Sequence, residues 1–360
     1  MRNIQIFHVI ALTAFILVEV SGEVLFKRGF YKAHKRGSKV TISDVESIDN
    51  VYFPNKTYLK LKAKIPVLFS GAVRRLPNLE TLKLDYCEIV DVQIGSFSEL
   101  PSLKTIALND NEIEGIKSAV FNRLTITNLY LQRNRISFIE TEAFDNLPNL
   151  NRIKLNSNLI SFWDNNWFKN TPQLTELFIR RNSIRSLPSH AFKNLQNGKI
   201  IIYLSRNLIT ALSPDIFTDL KHCSQIWLDR NEIRDIQPNT FFQMESLEVL
   251  FLSSNFLGSV PKDLLKNLKN DLITLDLAHN NNLTCVDYEI VRRVKLTNLL
   301  KINKLDCDCI KTLKNKLVSA NKSYEINSDC YTFIYFVYVC EIRTFHTSHV
   351  MFLLPTGYRY

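Results

Sequence analysis

Nine times along this chain one short motif closes on an asparagine, or once on a cysteine. The closing residues are Cys87, Asn111, Asn134, Asn158, Asn182, Asn207, Asn231, Asn255 and Asn280, separated by 24, 23, 24, 24, 25, 24, 24 and 25 residues. Three positions before each stands Leu or Ile, from Leu84 to Leu277. Five before the same holds, from Leu82 to Leu275. Eight before, only Lys199 and Cys223 depart from Leu or Ile. Self-similarity at a fixed period is the signature of a repeat solenoid. The apolar pair two apart reads as the inward face of a short strand. Such strands are too short to stand alone, but stacked in parallel they share one continuous core. The closing amide suits a buried turn, where unpaired backbone groups would be costly.

The second half of each unit is equally regular. Two residues past the closing position lies Ile89, Ile113, Ile136, Ile160, Ile184, Ile209, Ile233 or Leu257. Ten past it lies Phe97, Phe121, Phe144, Phe168, Phe192, Phe217 or Phe241, and then Leu265. These phenylalanines read as a spine under the convex side, core and not a cofactor box. Cys87 and Cys223 fall on buried repeat positions and are expected to act as small hydrophobes with free thiols.

The motif L-x-x-L-x-L-x-x-N/C over about residues 56–295 resembles the extracellular leucine-rich-repeat family. The resemblance implies an α/β right-handed solenoid, a horseshoe with a parallel β-sheet on its concave face and about nine to ten repeats. Leu59-x-Leu61 looks like a degenerate earlier copy. The segment Leu305-Asp306-Cys307-Asp308-Cys309, with Cys330 and Cys340 after it, resembles the family's cysteine-rich C-terminal cap. That implies disulfides Cys307–Cys330 and Cys309–Cys340; a metal site or redox pair is the alternative. Asn303-Lys304-Leu305 stands where the family often has Asn-Pro-Trp, and no cysteine pair caps the N-terminus. Cys285, outside the repeat pattern, is open to a link with a partner chain or with a cap cysteine. The chain looks most like secreted insect leucine-rich immune or matrix proteins, beside Toll-type ectodomains and Slit-like guidance proteins.

The expected organisation is a signal peptide over 1–22, a basic N-terminal arm or cap over 23–55, repeats over 56–295, the cysteine-rich cap over 296–345 and a tail over 346–360. Arg2, the apolar run from Ile4 to Val18 and the small residues Ser21 and Gly22 carry the signal-peptide reading. That run is short for a membrane span, and no later segment reads as one. A secreted glycoprotein is the consequence, with sequons at Asn55, Asn282 and Asn321. Net charge is +10, which suits polyanions, acidic surfaces or solubility alone. Lys27, Arg28, Lys32, Lys35, Arg36 and Lys39 form a basic stretch open to three readings: a solvated arm, a glycan-binding arm, or dibasic processing after Arg28 or Arg36.

The sequence contains no nucleophile elbow, no phosphate-cradling glycine loop, no HExxH motif and no nucleic-acid module. Catalytic, cofactor and metal sites are accordingly not expected. The outward strand positions are more informative. Four before the closing residue they run Lys83, Ala107, Tyr130, Lys154, Phe178, Tyr203, Trp227, Phe251 and Asp276. One before it they run Tyr86, Asp110, Arg133, Ser157, Arg181, Arg206, Arg230, Ser254 and His279, with Arg180 beside Arg181. An aromatic row edged by arginines is thus expected on the concave face, as a protein-binding surface. The competing reading is that the aromatics merely stack across the sheet, with arginines over them.

These features point to a secreted, non-catalytic recognition protein whose partner is an extracellular protein, in innate immunity or cell-surface signalling. The alternative is an extracellular-matrix component that binds sulfated glycans through its basic residues. No nucleic acid and no membrane span are expected, and Cys285 leaves a disulfide-linked oligomer open.

Overall fold

Strands start where the apolar pair of each motif lies. The computed structural model describes residues 25–32, 40–195, 198–269, 271–298, 305–319 and 337–338. Its repeat strands are β3 (Tyr58–Ala63), β4 (Thr81–Lys83), β5 (Thr105–Ala107), β6 (Asn128–Tyr130), β7 (Arg152–Lys154), β8 (Glu176–Phe178), β9 (Ile201–Tyr203), β10 (Gln225–Trp227), β11 (Val249–Phe251), β12 (Leu272–Asp276) and β13 (Val294–Asn298). They pair in unbroken parallel succession, each residue opposite its counterpart one coil away. Leu129 lies between Ile106 and Ile153, and Tyr203 between Phe178 and Trp227. In most of them the central residue is fully buried and its neighbours are not, as expected of a three-residue strand with one face on the core. The Leu59 copy is a true coil, since β3 joins β4 in parallel.

The closing asparagines hold the coils together. Asn207 donates from Nδ2 to the carbonyls of Leu204 in its own coil and Ile179 in the preceding one, both at 2.9 Å. Its Oδ1 accepts from the Ile184 amide at 3.2 Å. Asn111, Asn134, Asn158, Asn182, Asn231 and Asn255 repeat this pattern, and all are buried. The residue before each closing position is left-handed, with φ between 54° and 60° from Tyr86 to His279. That turn points the amide inward, against the steric preference of an L-residue. Cys87 takes the same place with its thiol near the Leu61 carbonyl, and burial pushes the thiol up to about 11. Burial also raises the Cys223 thiol, and both cysteines are unpaired.

Opposite the sheet the phenylalanine spine forms as expected. Phe97, Phe121, Phe144 and Phe168 stack with centroids 5.6 to 6.4 Å apart. Phe192, Phe217 and Phe241 continue at 5.7 and 5.3 Å. The two runs are joined by Trp163, whose ring lies 6.3 Å from Phe168 and 5.0 Å from Phe192. Between strands the chain returns through turns and, at Pro214–Ile216, a 3-10 turn. Among the described residues, α-helix occurs only toward the C-terminus, as α1 (Tyr288–Val291) and α2 (Cys307–Ser319). The helical part of the α/β fold is therefore small.

At the N-terminal end β1 (Phe26–Lys32) runs antiparallel to both β2 (Val40–Val45) and β3. Beside them Asp49, 2% exposed, accepts from Ser47 Oγ, the Val51 amide and an Arg75 Nη2 at 2.7, 2.9 and 3.1 Å. Burial opposes its charge, yet these hydrogen bonds prevail and hold the carboxyl below the usual range.

The C-terminal end corrects the expected pairing. Cys309 bonds to Cys285, with Cα atoms 5.5 Å apart, and so is not linked to Cys340. Cys285 is thereby engaged within the chain, which removes it as a link to a second chain. The bond ties α2 to the terminal coil, where Cys309, Ile310 and Leu313 are buried. The expected Cys307–Cys330 bond lies outside the described residues, as do Cys340, Asn321, residues 1–22, residues 33–39 of the basic arm, and the tail.

Two outcomes follow from this scaffold. Asn207→Ala leaves the Ile184 amide unpaired in a buried turn, at about 1–3 kcal/mol, while the Leu204 and Ile179 carbonyls keep the bonds they accept from Asn231 and Asn182. The expected loss is therefore about 1–3 kcal/mol; urea denaturation measures it, and a loss under about 0.5 kcal/mol would refute the ladder's role. Non-reducing peptide mapping is expected to recover Cys285 joined to Cys309; a Cys309–Cys340 peptide would contradict the cap geometry.

Candidate functional site on the concave sheet

Parallel strands ~4.8 Å apart place equivalent side chains one above another. The column four before each asparagine therefore becomes a physical row. Phe178 and Tyr203 are stacked at 4.3 Å between centroids and 6° between planes. Trp227 and Phe251 are stacked at 4.0 Å and 11°, and Tyr203 meets Trp227 at 5.5 Å with a 33° tilt. All four rings are half-buried, so the row is reachable from solvent. Tyr130 stands apart from it by one coil, and that coil carries Lys154. Its Nζ lies 5.3 Å from the Tyr130 ring and 5.0 Å from the Phe178 ring, bridging the two. Burial, and then neighbouring Arg152, lower the Lys154 ammonium from its ordinary value.

The arginines divide into two kinds. Arg133 is neutralised: its guanidinium holds Asp110 through two bonds, one of them Nη2 to Oδ2 at 2.7 Å. That contact raises its pKa further. Arg180, Arg181, Arg206 and Arg230 have no carboxylate within 4.0 Å among the described residues. Partial burial lowers the Arg206 guanidinium, and Arg230, Arg181 and Arg180 lower it further by repulsion. The competing arrangement, arginine over the aromatic rings of the row, occurs for one of them: Arg180 lies 5.9 Å from the Tyr203 centroid. Arg180, Arg181 and Arg206, with Arg133, Gln132, Asn156 and Ser157, line a concavity of about 690 Å³ beside the aromatic row.

Two features of this face were not visible in the sequence. One is Lys154 as the bridge across the aromatic row. The other is a second, partial polar ladder two residues before some of the closing positions. There Asp85 accepts from the Asn109 amide, Asn109 from the Gln132 amide and Asn156 from the Arg180 amide, at 2.7 to 3.0 Å. A reader aligning the repeats would see the short polar residues of that column, but not which amides they serve.

Elsewhere, Ser189 donates to Asp215 and His190 Nδ1 faces Asp219 at 3.1 Å. The serine and histidine thus have separate partners and form no nucleophile–base pair. Among the described residues no group of three or more His, Cys, Asp or Glu is placed to hold a metal ion, and no helix is long and apolar enough to cross a membrane. Asn55 and Asn282 are exposed.

The family described as Leucine rich repeat matches residues 77–126, 124–184, 172–229, 200–257 and 223–283, together more than half of the chain. No curated protein matches the sequence. Among solved structures the chain is similar to the Toll–Spatzle complex, a molecular hub in Drosophila development and innate immunity. That match has 23% identity and a TM-score of 0.59, covering 78% of this chain and 40% of that one. It is also similar to the TLR13–ssRNA13 complex, with 22% identity and a TM-score of 0.51, covering 65% of this chain and 36% of that one. The chain thus spans well under half the length of either, and likeness at these identities establishes the fold alone.

Unpaired like charges cost the scaffold stability. Arg206→Gln is therefore expected to keep stability within about 0.5 kcal/mol of the parent, or to raise it at low salt. Thermal unfolding with and without added salt measures this; a marked destabilisation would show Arg206 to be structural.

Proposed function

The chain belongs to the leucine-rich-repeat family, and from that premise we propose that it is a secreted, non-catalytic recognition protein that captures an extracellular protein on its concave sheet. One observation carries the reading. Arg181, Arg206 and Arg230 occupy left-handed positions, with φ of 55° to 57°, where glycine or asparagine would be less strained. None of them forms an ion pair within 4.0 Å among the described residues, and Asp229 acts on Arg206 only weakly against the repulsion of three arginines, so the fold gives little reason for arginine there. A ligand does. The adjacent rings Phe178, Tyr203, Trp227 and Phe251 supply half-buried apolar area, and aromatic residues with arginine dominate binding hot spots. The stacking of these rings also stabilises the sheet, so the arginines carry the functional weight and the rings supply the contact area.

Secretion rests on the N-terminal apolar run with its small-residue end, and agrees with the Cys285–Cys309 bond. The Toll–Spatzle neighbour, a complex with a role in innate immunity, supports immunity or cell-surface signalling as the setting. The four arginines without an ion pair also favour a second reading, an extracellular-matrix protein that binds sulfated glycans.

Immobilised wild-type chain, an Arg181→Glu/Arg206→Glu variant and a convex-side Lys193→Glu control should be compared for capture from extracellular fluid. Wild type and control are expected to retain the same protein, and the double variant to lose it by about tenfold or more, with unchanged melting. Retention should weaken but persist on a rise from about 0.15 M to about 0.5 M NaCl, because the contacts with the rings are not screened, whereas glycan capture should collapse with the screening of its charges. Equal capture by all three forms would place the site elsewhere.

A further inference from the structure

The way the aromatic row is packed selects the chemistry of its partner. We infer that the concave site takes an extended acidic polypeptide segment, one that alternates carboxylate and apolar side chains, and rejects ligands that bind through flat rings. The inference rests on the concave-site reading above and deepens it.

Single-stranded nucleic acids and sugars are held mainly by laying their rings on exposed aromatic faces. Here the faces within the row are spent. Phe178 lies against Tyr203 at 4.3 Å, and Trp227 against Phe251 at 4.0 Å. Tyr203 fills the space toward Trp227, and the Lys154 ammonium lies over the outer side of Phe178. The strands are hydrogen-bonded to one another, so the rings cannot part to admit a base or a pyranose between them. Between its ends, what the row turns to solvent is therefore ring edge. Aromatic edges are apolar and carry the positive end of the ring quadrupole, which favours aliphatic side chains and carboxylate oxygens.

The arginines complete the selection. Arg181, Arg206 and Arg230 stand on three consecutive coils, a span of about 10 Å at the strand spacing, with Arg180 beside the first. An extended chain advances about 3.3 Å per residue, so two carboxylates on one side of it, two residues and about 7 Å apart, both fall within the length of that row. Guanidinium and carboxylate match as two-pronged partners. In an extended segment alternate side chains point to opposite sides. Acidic residues can then meet the arginine row while their neighbours meet the ring edges.

The test titrates three charge-matched probes against wild type, Arg181→Glu/Arg206→Glu and Trp227→Ala. The probes are a synthetic peptide of alternating Glu and Leu, a heparin fragment and an oligouridylate. The peptide is expected to bind wild type about tenfold or more tighter than either other probe, and to lose about tenfold in the arginine variant. Trp227→Ala frees facing sides of Tyr203 and Phe251 about 10 Å apart. That variant is expected to gain on oligouridylate relative to peptide, which a surface selecting by charge alone would not do. If heparin or oligouridylate binds tightest and still depends on the arginines, the polypeptide assignment falls while the concave site stands. If no probe responds to the arginine variant, the concave site falls with it.

Discussion

The closing asparagine amide is the interaction on which the rest of this structure depends. A coil of about 24 residues must turn its backbone through the interior at the end of each strand, where water cannot satisfy the peptide groups. Asn207 serves its own coil through Leu204 and the preceding one through Ile179 and Ile184. It therefore welds coils as well as closing a turn. Because the residue before it must be left-handed, the weld also fixes where the next side chain emerges. The arginine row stands on these turns, so its regular spacing is inherited from the polar ladder beneath it.

The fold was largely legible in the sequence because burial repeats with the period. Any position that faces the core in one coil faces it in all, so Leu82 and Leu275 obey the same constraint. The spine was legible for the same reason, apart from Trp163, which joins the runs from Phe168 to Phe192 and sits outside the repeating phenylalanine position. The cap was not legible. Cys307 and Cys309 open a helix, where residues two apart point roughly 200° away from each other. Cys309 faces the terminal coil and is buried, and Cys285 lies there to meet it. No count of spacings reveals that direction, because it depends on where the helix docks.

The candidate site was legible as positions but not as chemistry. Repeat alignment puts Phe178, Tyr203, Trp227 and Phe251 in one row. It does not say whether faces or edges meet the solvent. The strand spacing decides that: rings on adjacent parallel strands are close enough to stack and too close to leave a gap. Arg133 and Arg206 look equivalent in the alignment and differ in the structure, because Asp110 stands one coil before Arg133 while Arg181 occupies the equivalent place before Arg206. Charge in a repeat protein is thus read column against column, and the partner of a residue is about one period away along the chain.

That geometry explains how one scaffold can carry both stability and recognition without conflict. Stabilising groups point inward or along the coil ends, where each is satisfied by a neighbour one period away. The outward rows owe the fold little: their substitution changes no buried hydrogen bond of the ladder. Only the aromatic row belongs to both, since its stacking orders the sheet surface and, by occupying the ring faces, limits what can bind there. A surface built this way gains selectivity from its own packing, before any ligand arrives.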